Sequence, residues 1–216
     1  MFEKEYERYS VLNELAKPNG IVIMGGVSDI TIPLGELKQT FELDANLYNR
    51  SVSGLSVKNA SLFYDKCVKD LHPERILLHI GENDVTDFAA NPSDFDHYYR
   101  KLIKDIKCEN KKCDIIIVSL KNHQQNTDVT KLNQHLKYIA ESERCEFVDI
   151  AVQRVWNPKQ TKDIASFVFS TGFVRPLNIK RPAYDLVKIL FSLHDTHCDL
   201  NHQCNNDHQG RDNKSV

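Results

Sequence analysis

The chain has 216 residues, the length of one ordinary α/β domain with a short excess at its ends. Apolar residues make up 41% of it, enough for a continuous core, and charged residues 27%. Lys and Arg number 28 against 30 Asp and Glu, and the formal charge of −2 leaves no electrostatic footprint for nucleic acid or an anionic membrane. No apolar run approaches the roughly 18 residues of a membrane span.

From the N-terminus, Met1 to Ala16 alternates charges with Tyr6, Val11, Leu12 and Leu15, which predicts an amphipathic helix over 1–17. This stretch lacks the basic-then-apolar layout of a signal peptide, so a cytoplasmic protein is expected. Cys67, Cys108, Cys113, Cys145, Cys198 and Cys204 form no framework and are expected to be free thiols.

Strand and helix patterns then alternate. Ile21 to Met24 is a buried strand that leaves the sheet at Gly25-Gly26, and Ala45 to Asn49 is a weaker second strand. Ser56 to Leu71 is helical, with Val57, Ala60, Tyr64, Cys67 and Leu71 at three- and four-residue steps. Arg75 to Ile80 is a third strand closed by Gly81. Ser93 is the expected N-cap of a helix whose buried stripe is Phe95, Tyr99, Leu102, Ile103 and Ile106. Asp114 to Val118 is a fourth strand, and Val129, Leu132, Leu136, Ile139 and Ala140 mark another helix. Glu146 to Ile150 is a fifth strand, and a last helix starts at Pro182.

The strands are continuously apolar, so both faces must be covered. That requirement predicts a five-stranded, parallel, doubly wound sheet in a three-layer α/β/α sandwich over 18–193. Residues 194–216, a polar tail containing His and Cys, are expected to be disordered. Their spacing fits no closed zinc template. Open parallel sheets bind ligands at the carboxyl ends of their strands, which directs attention to loops 25–33, 50–56, 81–91, 119–127 and 151–180.

Three of these loops carry small and polar residues in a suggestive order: Gly25-Gly26-Val27-Ser28-Asp29, Asn49-Arg50-Ser51-Val52-Ser53-Gly54 and Gly81-Glu82-Asn83-Asp84. They supply a hydroxyl, a glycine N–H that a ligand can approach, and an amide donor. A hydroxyl nucleophile beside two such donors is the composition of an acyl-transfer site with its oxyanion hole.

With these three blocks in order, the chain resembles the SGNH (GDSL-type, flavodoxin-like) hydrolases over about residues 18–190. The resemblance implies ester or acyl hydrolysis of a small-molecule or glycan ester, without metal or cofactor. Ser28 would be the nucleophile, and the Ser28 and Gly54 N–H groups with the Asn83 amide would form the oxyanion hole. Two departures accompany it. Val27 stands where the family has Asp before its serine, with an apparent extra residue in the turn. Residues 170–178 also lack the family's Asp-x-x-His, which supplies the base and its orienting carboxylate.

Among other histidines, His194 and His197 follow a last helix of ~16 Å and lie far from its active-site end. His79 is expected to be a core histidine. His123, in the loop after the fourth strand, is the remaining candidate base, with Asp29 or Asp84 as its nearest carboxylate; Asp84 is expected to brace its own loop. Arg50 is expected in a surface salt bridge or on an anionic group of a substrate. Two other readings stay open: a fold that no longer hydrolyses and binds a glycan or acyl group, and an acyltransferase.

Overall fold

Runs such as Ile21-Val22-Ile23-Met24 and Ile115-Ile116-Ile117-Val118 carry no polar residue to turn toward water, so they must sit between two layers. The computed structural model, which describes residues 2–35, 38, 45–122 and 125–150, places them in one parallel sheet. The strands are β1 (Ile21–Gly25), β2 (Leu47–Asn49), β3 (Arg75–His79), β4 (Asp114–Val118) and β5 (Glu146–Val148), in the order β2-β1-β3-β4-β5. Every neighbouring pair is parallel, and β1 runs beside β3 from Ile21↔Arg75 to Gly25↔His79. The chain leaves β1 for β2 on one side and returns to β3 on the other. The crevice at their carboxyl ends is therefore the switch point where such sheets place their ligands.

Helices α1 (Glu3–Leu15), α2 (Val57–Cys67), α3 (Val85–Ala90), α4 (Pro92–Glu109) and α5 (Thr127–Ser142) complete the described elements. Alternate strand residues Val22, Met24, Ile76, Leu78, Ile115 and Ile117 join these helices in one buried cluster. The other set, Ile23, Leu77 and Ile116, points to the opposite face and is just as buried, so the sheet is covered on both sides. None of the described helices is long and apolar enough to cross a membrane.

The expected stripe on α4 is buried (Phe95, Tyr99, Leu102, Ile103 and Ile106), and so are Leu132, Leu136, Ile139 and Ala140 of that on α5, whose Val129 is partly buried. Helix α4 begins one residue before the expected cap. Pro92 occupies its first turn, where the fixed φ of proline suits the helix and its missing N–H costs nothing, and Asn91 precedes it. Helix α2 ends at Cys67 and a 3-10 turn carries the chain to Leu71. The expected last helix, residues 170–178 and the tail all lie outside the described residues, as does everything from 151 onward.

Helix α1 forms where expected, and Tyr6 packs against the core as expected, but the rest of the expected face does not. Val11, Leu12 and Leu15 are exposed, while Phe2 and Tyr9 enter the core against Phe63 of α2. Arg50 packs against the buried face of α1. Instead of meeting solvent or an anion, its buried guanidinium lies 4.7 Å from the Tyr9 ring centroid and 5.6 Å from that of Tyr48. It donates to Asn13 Oδ1 at 2.7 Å and to Asn49 O at 3.0 Å. A planar fork between two rings reaches both acceptors at once. Arg50→Ala is expected to destabilise the protein by about 2 kcal/mol in urea unfolding, through lost stacking and two charge-assisted hydrogen bonds. Arg50→Lys should restore little of it, since one ammonium cannot stack and make both bonds.

Candidate active site at the β1/β3 switch point

Strand β1 ends at Gly25, and the chain turns through a 3-10 turn at Val27–Asp29. The Asp29 side chain folds back and accepts from Gly26 N at 3.2 Å, closing the turn that presents Ser28. Asp29 is fully buried, and His79 at the end of β3 faces it. His79 Nδ1 lies 2.8 and 3.0 Å from the two carboxylate oxygens, the distance at which an imidazole N–H donates to a carboxylate. His79 is thus a core histidine, as expected, but one with a specific duty: it satisfies a carboxylate withdrawn from water. Asp29, named in sequence as a partner for His123, holds His79 instead.

The second loop continues the β1 ladder, with Arg50 N donating to Ile23 O and Val52 N to Gly25 O. Asn49 ties it to the first loop: its Nδ2 donates to Asp29 O at 2.7 Å and its Oδ1 accepts from Ser51 N at 2.9 Å. Gly54 follows at φ 77, a conformation that side-chain-bearing residues rarely adopt. The third loop leaves β3 through Gly81 at φ 135 and a 3-10 turn at Glu82–Asp84. Asn83 Nδ2 donates to Leu55 O at 2.9 Å, next in sequence to Gly54. The Asp84 carboxylate accepts from Val57 N at 3.1 and 3.2 Å, so it braces the first turn of α2 rather than its own loop.

These contacts bring Ser28, Asn83 and the Gly54 turn to one rim. Ser28 is half-buried, whereas Val27, which opens the 3-10 turn, is 52% exposed. The Ser28 hydroxyl lies 3.5 Å from Asp29 Oδ1 and 3.5 Å from Glu82 Oε2. Sequence reasoning passed over Glu82, the variable position of its Gly-x-Asn-Asp block. A carboxylate directly after a parallel strand, opposite a glycine, was the available signal. His123 lies outside the described residues.

Gly25, the last residue of β1, and Gly26 after it both stand where a side chain would have no room. A Cβ on Gly25 would sit 2.0 Å from Asp29 Oδ2, and one on Gly26 would sit 2.6 Å from Glu82 Oε2. One carboxylate is buried and bonded in place, and the other is exposed.

No protein-family model matches the chain, and no curated protein matches it. Solved structures do share its fold. A Streptococcus pneumonia protein named for platelet activating factor is 16% identical with a TM-score of 0.60, the match covering 78% of this chain and 91% of that one. A GDSL-like lipase from Bacteroides thetaiotaomicron is 19% identical with a TM-score of 0.53, covering 78% and 96%. An acetyl xylan esterase is 16% identical with a TM-score of 0.53, covering 70% and 83%. The chain has the α/β fold of the GDSL-type hydrolases.

Two predictions follow from the geometry of this rim. Gly25→Ala is expected to lower stability by 3 kcal/mol or more (about the cost of breaking a buried charged contact), while Gly26→Ala stays within about 1 kcal/mol because Glu82 can swing into solvent. Thermal and urea unfolding of the two variants tests the contrast. Burial raises the Asp84 carboxyl from 3.8 to about 6, against the lowering effect of the Val57 N–H. A folded pKa above the unfolded one means that Asp84 stabilises the fold below about pH 4 and loses that contribution as pH rises through 6. Asp84→Asn, which keeps an acceptor for Val57 N but cannot titrate, should remove roughly 2 kcal/mol of pH dependence between pH 4 and 7 in urea titrations.

Proposed function

We propose that the protein is an ester or acyl hydrolase in which Ser28 attacks the acyl carbon. The Ser28 and Gly54 N–H groups and the Asn83 side chain would then receive the oxyanion. The observation that carries this reading is that Ser28 and Asn83 stand on the loops after β1 and β3, whose carboxyl ends flank the switch point of a sheet with the fold of GDSL-type hydrolases, and that Ser28 reaches Glu82, the neighbour of Asn83 on the third loop. In such a sheet the crevice is where a ligand is held, and a hydroxyl with an amide donor across it suits acyl transfer.

Asn83 suits the donor role because one of its N–H groups is committed to Leu55 O. That bond fixes the amide plane before substrate arrives, and donors fixed in advance are the ones that stabilise a developing charge most. The substrate class is a small ester or an acetylated glycan, as the acetyl xylan esterase of the same fold suggests. A hydroxyl is a weak nucleophile without a proton acceptor, and general-base help contributes ~10²–10⁴-fold. His123 is the candidate that the chain order offers for that task.

A second reading, a binding module of the same fold, is favoured by the lack of Asp-x-x-His in 170–178. Acyl transfer to a sugar or another acceptor would need the same nucleophile and the same base.

Fluorophosphonate labelling with mass-spectrometric mapping separates the readings. The expected result is one adduct on Ser28, absent from Ser28→Ala, together with hydrolysis of p-nitrophenyl acetate that the same substitution reduces by at least ~10³-fold. Folded protein that neither labels nor hydrolyses, beside an active serine hydrolase as control, would place it among binding modules.

A further inference from the structure

We infer that Glu82 is the general base for Ser28, taking the part that Asp-x-x-His plays elsewhere in this fold; the inference rests on the reading of Ser28 as nucleophile. Three observations converge on it. The Glu82 carboxylate is 3.5 Å from the Ser28 hydroxyl, longer than a formed hydrogen bond but within the range that closes when substrate orders a site. Gly26 provides the passage: the space that a Cβ would fill there is occupied by Glu82 Oε2. Val27, an exposed apolar residue, stands where the resembling family has an Asp, and a carboxylate arrives from the third loop instead.

The other carboxylate at the same distance, Asp29, is unsuited to the task. It is fully buried and already accepts from Gly26 N and His79 Nδ1. A proton placed on it would disrupt the turn that presents the serine. Glu82 is exposed, so it can exchange a proton with water between turnovers.

The steps balance. As Ser28 Oγ bonds to the acyl carbon, its proton passes to Glu82 and the carbonyl electron pair moves onto the oxygen. Collapse of the tetrahedral species breaks the bond to the alcohol, which leaves with the proton from Glu82. Water then attacks the Ser28 ester, giving a proton to Glu82, and on collapse Glu82 returns that proton to Oγ as the acid departs.

Fluorophosphonate labelling rates and p-nitrophenyl acetate hydrolysis test the assignment in the full chain. Glu82→Gln is expected to slow both by at least ~10²-fold with unchanged unfolding, and Gly26→Ala, which displaces an intact Glu82, should slow them as well. Glu82→Ala should regain part of its lost rate when formate is added, a rescue that a structural role would not give. Labelling of Glu82→Gln at the wild-type rate, with Ser28→Ala unlabelled, would overturn the inference and leave the nucleophile standing. So would a loss in His123→Ala without one in Glu82→Gln, which would return the base to histidine. Failure of the wild-type protein to label at Ser28 would instead remove the underlying reading, and Glu82 with it.

Discussion

The buried contact between Asp29 and His79 is the constraint on which the rim of this sheet depends. A carboxylate with no exposure to water must have its lone pairs met inside the protein, because an unmet charge there would cost several kcal/mol. His79 meets it from β3 and Gly26 N from its own turn. The pair exists only because β1 and β3 run in the register that sets Gly25 beside His79. Once Asp29 is held, its carbonyl is fixed for Asn49, and the first two loops are joined. The position of Ser28, one residue before, is a consequence of that anchoring.

The third loop is fixed by a different means. Asn83 and Asp84 reach across to Leu55 and Val57, so the loop after β3 is tied to the start of α2. This arrangement carries a cost, since Asp84 must lose most of its hydration and its carboxyl rises to about 6. Ionising it costs the fold stability as pH rises through about 6. What Asp84 provides is a fixed N-terminal turn on α2 directly behind the Gly54 loop. On the proposed reading, donors that meet a developing negative charge gain most when they need no rearrangement, and a braced helix start serves that end.

Much of the fold was legible in the sequence because parallel strands covered on both faces need apolar residues on both, as β1 and the centres of β3 and β4 have. The stripes of α4 and α5 followed from helical periodicity for the same reason. The face of α1 was only partly legible. Val11, Leu12 and Leu15 have the right spacing, yet Tyr9 is buried, against Arg50, 41 positions later, which offers its ring a cation and donates to Asn13. Periodicity counts apolar residues and cannot count a guanidinium that arrives from another loop. Likewise, Ser28 and Asn83 could be read from their blocks, but Asp29 and His79 are 50 residues apart and meet only through strand register. Glu82 escaped notice because its significance depends on what Gly26 lacks.

The dipeptide Gly25-Gly26 therefore answers two demands that look alike in sequence and differ in physics. At Gly25 a missing side chain leaves room for a carboxylate that cannot move, whose oxygens are committed to neighbours. At Gly26 it leaves room for one that can. Both lie 3.5 Å from the same hydroxyl, so distance does not separate their roles. Environment does, as it does wherever two acidic groups share a site: the solvent-shielded, saturated one holds geometry, and the open one is available to carry a proton. On the proposed reading, a serine placed between a fixed carboxylate and a mobile one takes its orientation from the first and its reactivity from the second.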